Sequence, residues 1–330
     1  MTQQLRQPVN RNAVVVVGSA NIDEVALVQE LPRPGETVMA LSSSRHCGGK
    51  GSNQAIAAAR LGAHVEFVGA IGVDPEGALL EATWADAGVR TTGLEHLDLI
   101  PTGKALIAVD SHAENSIVVI PGANARVTPE AVQAQAALIR HANVVVMQLE
   151  IPLDTVQRAC ELAEGVKVLN AAPAQVLSPA LLSLIDVLVV NEAEFATVLG
   201  GDSESDAATI TDTMSRPSVP PQVVVTRGGQ GALVWDRDRL TTVPAPAVDV
   251  IDTTGAGDTF VGALAEALSR GSSLLDAAQW AVTAATISTQ TLGATDGMPT
   301  RHQVAAALGI SLPTQTSRPD ANTNVQRSTL

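Results

Sequence analysis

The run Asp252-Thr253-Thr254-Gly255-Ala256-Gly257-Asp258 carries the densest chemistry in the chain. Gly255, Ala256 and Gly257 are small and precede a stretch with helical spacing that opens at Thr259. At such a junction backbone N–H groups lack helical partners, and the helix dipole adds partial positive charge in the same place. The result is an anion cradle. Asp258 falls in the first turn beside it, where a carboxylate can take the proton of a substrate hydroxyl as a phosphoryl group arrives. Taken alone, the run reads more simply as a flexible turn with Asp258 as a helix cap. The second acid, Asp252, and a companion motif favour chemistry.

That companion is Gly48-Gly49-Lys50-Gly51-Ser52-Asn53, with Gly62 and Gly72 beyond it. Glycines let the backbone approach a ligand closely, and Lys50 and Asn53 offer donors. The plainer alternative is a glycine turn before a buried, Ala-rich helix. Neither standard nucleotide motif is present. Gly49-Lys50 is followed by Gly51, and Ser44 stands where a P-loop would open on Gly. Gly255 and Gly257 are followed by Phe260 where a dinucleotide fingerprint needs its third glycine. A nicotinamide-dependent dehydrogenase is therefore disfavoured.

Together the two runs resemble the paired signatures of the ribokinase-like (pfkB) family of carbohydrate kinases, from about Val14 to Pro299. The first signature is met by Gly48, Gly49, Asn53, Gly62 and Gly72, the second by Asp252 through Asp258. The resemblance implies an α/β, three-layer fold with a mostly parallel central sheet flanked by helices, and a small β-sheet lid. It implies ATP-dependent phosphorylation of D-ribose at its primary 5-hydroxyl, with Asp258 as general base and Gly255, Ala256 and Gly257 as the anion hole. It places the sugar against Asn21, Ile22 and Asp23 after the first strand. Gly49, Lys50, Gly51, Asn53 and Glu150 would complete that pocket. Asn191 and Thr226-Arg227-Gly228-Gly229-Gln230-Gly231 would hold ATP with Gly257, and Val282 stands where the family often has a polar residue beside adenine. Glu194, in Asn191-Glu192-Ala193-Glu194, would orient magnesium and phosphate. Asp252, Thr254, Ser288, Thr291, Gly293 and Gly297 would form a potassium site, Gly297 replacing a serine. A homodimer formed through the lid is a further implication. The rivals are a same-fold kinase for a nucleoside or another sugar, and a non-catalytic sugar sensor.

These residues need elements to hold them. Continuous β-branched runs at Ala13–Val17, Val65–Gly69, Asn143–Gln148, Val166–Asn170, Val187–Val190 and Val223–Thr226 read as buried parallel strands. Helical spacing at Asn53–Leu61, Pro129–Arg140, Leu153–Ala163 and Thr259–Ser269 supplies crossovers. Asn21 to His46 and Thr102 to Asn124 alternate more like exposed antiparallel strands, which suggests the lid, at about 20–46 and 100–125, or ordinary edge strands. Gly201–Pro221 reads as a surface excursion. Residues 1–12 read as an extension, 13–310 as one kinase domain, and 311–330 as a disordered tail.

Composition sets outer bounds. At roughly 150 residues per domain, 330 residues suggest about two domains, but no mid-chain linker is visible. Twenty Lys and Arg against 34 Asp and Glu give a net charge of −14, which lacks the basic footprint of a nucleic-acid binder. Three Trp, three Phe and no Tyr leave few stacking platforms. A nucleobase in the acceptor site is disfavoured, and adenine should lie mostly on aliphatic surface. Two cysteines make no disulfide framework and suit a reducing cytoplasm. The polar start carries no signal-peptide pattern. No apolar run approaches the ~20 residues of a membrane span.

Overall fold

The computed structural model describes residues 12–312, apart from 113 and 203. The expected extension (1–12) and tail (311–330) lie almost wholly outside the described residues. The first half supplies β1 (Ala13–Val17), β2 (Asn21–Leu27), β3 (Ser42–Gly48), β4 (His64–Gly72), β5 (Arg90–Leu97), β6 (Gly103–Val109) and β7 (Asn115–Ile120). The second supplies β8 (Val144–Met147), β9 (Val166–Asn170), β10 (Val187–Asn191), β11 (Gln222–Thr226), β12 (Ala232–Asp236) and β13 (Arg239–Val243).

Nine strands form one sheet in the order β13-β12-β11-β10-β9-β8-β1-β4-β5. From β11 to β5 every neighbour is parallel; β12 and β13 are appended antiparallel. Runs such as Ala13–Val17 and Val144–Met147 are valine-rich and buried along nearly their whole length, as a sheet covered on both faces requires. One face packs on the helices Lys50–Arg60, Ala256–Ser269 and Leu274–Ser288. The other packs on Pro129–Ala134, Ala136–His141, Leu153–Leu162, Glu192–Leu199 and Ala207–Met214. The three-layer expectation holds.

All six aromatics serve this core. Trp84, Trp235 and Trp280 are at most 6% exposed, and Phe67, Phe195 and Phe260 at most 3%. The bulk is otherwise aliphatic, which permits very close helix contacts. A Cβ on Gly262 would lie 2.6 Å from both Ala57 Cβ and Gln54 O. The helices Ala256–Ser269 and Lys50–Arg60 thus approach to a separation that only glycine permits at that point.

The second sheet has the order β3-β2-β6-β7. It is mixed: β2–β3 and β6–β7 are antiparallel, while β2–β6 is parallel, with β3, β4 and β5 intervening between them in the chain. It stands apart from the main sheet as the expected lid.

Two local expectations change, and one hairpin is new. The stretch Pro129–Arg140 is two helices with a break at Gln135, whose backbone leaves the helical region. Gly201–Pro221 contains the helix Ala207–Met214, which buries Ile210, Thr213 and Met214. The hairpin β12–β13 carried no glycine signal because its turn places Arg237 at φ 61.

Candidate active site

The strand order reverses around β1, with β4 on one side and β8 on the other. Open parallel sheets bind ligands at the carboxyl ends of strands beside such a reversal. Ser19 and Asn21 follow β1, Gln148 and Glu150 follow β8, and Asn170, Asn191 and Thr226 end β9, β10 and β11. Strand ends therefore gather the candidates before any side chain is considered.

Both signature helices start earlier than their spacing suggested. The helix after the first signature begins at Lys50, capped by Gly49 at φ 86. The other begins at Ala256, capped by Gly255 at φ 74. A Cβ on Gly255 would stand 2.3 Å from Ala294 O, so that turn needs glycine twice over. The Ala256 N–H already donates to Thr253 O at 3.1 Å. An arriving phosphate would therefore chiefly meet the neighbouring N–H groups. A Cβ on Gly257 would meet nothing within 4 Å: the cradle is open there.

Asp258 lies in this first turn. Its Oδ2 accepts from Asn53 Nδ2 (2.9 Å) and its Oδ1 from Gln54 Nε2 (3.0 Å). Burial pushes its pKa up, and Lys50 with the two amide donors pulls the other way. Glu150 Oε2 accepts from Ser19 Oγ (2.5 Å) and from the Lys50 N–H (3.0 Å). Burial opposes charge on Lys50, but Asp258, Glu150, Glu194 and Asp23 hold its pKa above the usual value. Burial, followed by Glu150 and Asp258, raises Asp23 to about 6.

Asn21 Oδ1 accepts from Asn124 Nδ2 (2.7 Å), and Asn124 also brackets the Ala20 backbone. Ile22 is fully buried, so its side chain faces the core and only its backbone can serve the site. Gly48 brings the strand against the Asp23 carboxylate, where a Cβ would stand 2.2 Å from Oδ2. Asn53 Oδ1 and Gln148 Oε1 are buried without hydrogen-bond partners. Beside Asp258, the Asn53 oxygen is a ready acceptor for a ligand hydroxyl.

A cleft of about 440 Å³ opens beside the cradle, lined by Thr226, Gly228, Gly229, Gly231, Val282 and Gly257. Its floor is apolar, as the shortage of aromatics led us to expect, although Phe260 contributes one ring. Residues 245–248 and Val250 also line it, which motif reasoning missed; their signal is the Pro/Ala run just upstream of Asp252. Arg227 turns away to pair with Glu204 (2.8 Å) and Glu192 (3.4 Å), while Gln230 N donates to Arg227 O within the turn.

Asn191 and Glu194 form a reciprocal capping box: the Asn191 side chain accepts from Glu194 N, and Glu194 Oε2 from Asn191 N, each at 2.8 Å. Burial raises the Glu194 pKa. Among the described residues no group of three His, Cys, Asp or Glu could hold a metal. A magnesium ion here would draw most ligands from phosphate and water, which suits its reluctance to dehydrate. Asp252 is tied down by Thr254 N (2.9 Å) and Gly293 N (2.8 Å), bonds that overcome burial and lower its pKa. The Ser288 hydroxyl is spent on Ala285 O (2.8 Å), leaving its carbonyl for an ion. A Cβ on Gly297 would stand 2.3 Å from that carbonyl, so no serine fits there in this backbone. Thr291 is exposed on the same loop.

An open glycine turn at a helix start, a buried carboxylate in its first turn and a polar pocket beside the small sheet form an arrangement suited to phosphoryl transfer to a small molecule. The chain belongs to the pfkB family of carbohydrate kinases, whose model matches residues 11–301. It is 38% identical over 297 residues to a ribokinase of Haemophilus influenzae, covering 89% of this chain and 97% of that one. It is 35% identical over 298 residues to the Bacillus subtilis ribokinase, covering 89% and 99%. The solved structure of Arabidopsis thaliana ribokinase complexed with ribose and ATP is similar at TM-score 0.83 and 32% identity, covering 91% and 99%.

Proposed function

We propose that this protein transfers the γ-phosphoryl group of ATP to the 5-hydroxyl of D-ribose, giving ribose 5-phosphate and ADP. One observation carries the reading: Asp258, gripped by Asn53 and Gln54, stands at the open glycine turn. Ribokinase relatives and a neighbour complexed with ribose and ATP support it.

In this mechanism Asp258 accepts the hydroxyl proton, the freed oxygen attacks the γ-phosphorus, and ADP departs. Burial makes the carboxylate more basic, while Lys50 and two amide donors favour its charged form. Asn21, Asp23, Asn53 and Glu150 hold sugar hydroxyls, Lys50 offsets the surrounding acids, and the first-turn N–H groups stabilise charge on the moving phosphoryl group. The apolar cleft takes adenine. The lid excludes water as a competing acceptor. Glu194 with Asn191 would hold magnesium, which supplies charge neutralisation on the phosphates. Asp252, Thr254, Ser288, Thr291, Gly293 and Gly297 would hold a potassium ion mainly through carbonyls. The lid also offers a dimer surface. Two free thiols, Cys47 and Cys160, support a cytoplasmic setting.

Phosphorylation of a panel of D-ribose, other pentoses and nucleosides, with and without potassium, tests the acceptor. Preferred turnover of a nucleoside would overturn it. Asp258→Asn should fold normally and lose about 10²–10⁴-fold in kcat, the usual range for a positioned base; near-normal turnover would overturn the base assignment.

A further inference from the structure

Gln54 is a costly residue to place where it is. Its side chain is wholly buried between a helix and the sheet, where an unused amide would be destabilising. None of its amide capacity at hand is idle. Nε2 donates to Asp258 Oδ1 and to Asn170 Oδ1, each at 3.0 Å, and Oε1 accepts from Gln148 Nε2 at 2.7 Å. Asn170 Nδ2 in turn donates to the Val189 carbonyl at 3.3 Å.

The direction of these bonds follows from that last contact. A backbone carbonyl can only accept, so Asn170 must present its NH₂ to Val189 and its oxygen to Gln54. Gln54 must then present its NH₂ toward Asn170 and Asp258. A flipped Gln54 amide would set its oxygen against two acceptors and strand the Gln148 donor. The sheet strands β9 and β10 therefore dictate, through two amides, that Asp258 receives a donor at Oδ1. Asn53 holds Oδ2.

We propose that Gln54 is a positioning residue for Asp258, fixed by Gln148 and Asn170 so that it donates to the base and holds it ionised and in one rotamer. The inference rests on the reading of Asp258 as the base. Donation to a carboxylate favours its charged form. The groups that also act on Asp258 are Lys50 on its own helix partner, Glu150 after β8, Asp23 on β2 and Glu194 at its helix start.

Replacing Gln54 by Met keeps the bulk and removes the donor. The comparison is kcat/KM for D-ribose at about pH 5.5 and about pH 8, for variant and wild type. Asp23 titrates in both proteins, so the variant-to-wild-type ratio isolates Asp258. We expect a loss of about tenfold at pH 8 and about tenfold more at pH 5.5, the effect of one charge-assisted hydrogen bond. The KM for ATP should stay within about twofold, since Gln54 faces the base and not the nucleotide cleft. A folded variant whose loss is the same at both pH values would show a merely structural role and overturn the proposal. Should Gln54→Met not fold, Gln148→Met leaves the donor in place but unanchored. It should show the same acid-selective loss to a smaller degree, and a folded, pH-indifferent Gln148→Met overturns the proposal equally. Asp258→Asn in the same assay separates the two readings. If it stays active, the base assignment fails. If it is inactive while Gln54→Met keeps the wild-type pH ratio, only the role of Gln54 fails.

Discussion

At the scale of single residues, the site holds its charges at the expense of the fold. Asp23 shows this most directly. Its pKa of about 6 lies above the ordinary 3.8, so the folded state binds that proton more tightly than the unfolded chain. Stability is therefore lost as pH rises from about 4 through about 6, and at neutral pH the fold carries an ionised, half-buried carboxylate. Asp23→Asn should raise Tm at pH 7.5 by about 2 °C or more and give no gain near pH 4, as differential scanning calorimetry can check. The same change should raise the KM for the sugar, and wild-type KM should climb as pH falls below about 6. Gly257 gives the complementary case. A methyl there meets no protein atom, so Gly257→Ala should leave Tm within about 1 °C while lowering kcat/KM about 10²-fold, the loss typical of an obstructed oxyanion site. Residues such as Asp258 and Lys50 were legible in the sequence because charge beside glycine is conspicuous. Asn124, Gln148 and Asn170 were not. A buried amide looks like any polar residue until the strands that bracket it are assembled.

At the scale of elements, the base is delivered by a helix pair. Gly262 lies one turn beyond Asp258 on the same helix, and its missing side chain lets Gln54 O come close. Separation of the two helices would withdraw Gln54 and Asn53 from the carboxylate together. Gly262→Val should thus cost stability, by about 1–3 kcal/mol for overpacking, and also lower kcat in the protein that remains folded. Urea denaturation alongside turnover at low temperature would separate the two effects; a variant that loses stability but keeps full kcat would show that helix spacing does not tune the site. The buried strands were readable because their valine runs have no competing pattern. β12 and β13 were not, since β13 buries only Val243 and Arg237 occupies a left-handed turn position without glycine. Likewise the helix starts at Lys50 and Ala256 hid behind Gly51, Ser52 and Gly257, residues that propensity alone assigns to a loop.

At the scale of the whole molecule, the outer edge of the lid bears on the proposed dimer. β7 is an edge strand of the small sheet, and all six of its residues are exposed. Ile117, Val118 and Val119 are 52%, 57% and 49% exposed, and Ile120 is 43%. Isolated edges of this kind are normally blunted by charge, proline or a bulge because they pair readily with another chain. None of these devices interrupts Asn115–Ile120. An edge apolar on both faces, beside Leu106 at 40% exposure on the adjoining strand, suits burial against a second copy. Alternation along a strand places Ile117 and Val119 on one face of the lid and Val118 and Ile120 on the other. A partner sheet packed on one face should therefore be sensitive to only one of these pairs, whereas pairing along the edge itself should be indifferent to which pair changes. Light scattering on Ile117→Lys/Val119→Lys and on Val118→Lys/Ile120→Lys distinguishes these geometries. Conversion of one double variant to monomer, with the other still dimeric, identifies the packed face. A wild-type protein that is monomeric across the micromolar range would remove the dimer altogether. In a dimer held by the lids, dissociation should also raise the KM for the sugar, because the strand that carries Asn21 and Asp23 belongs to the same sheet.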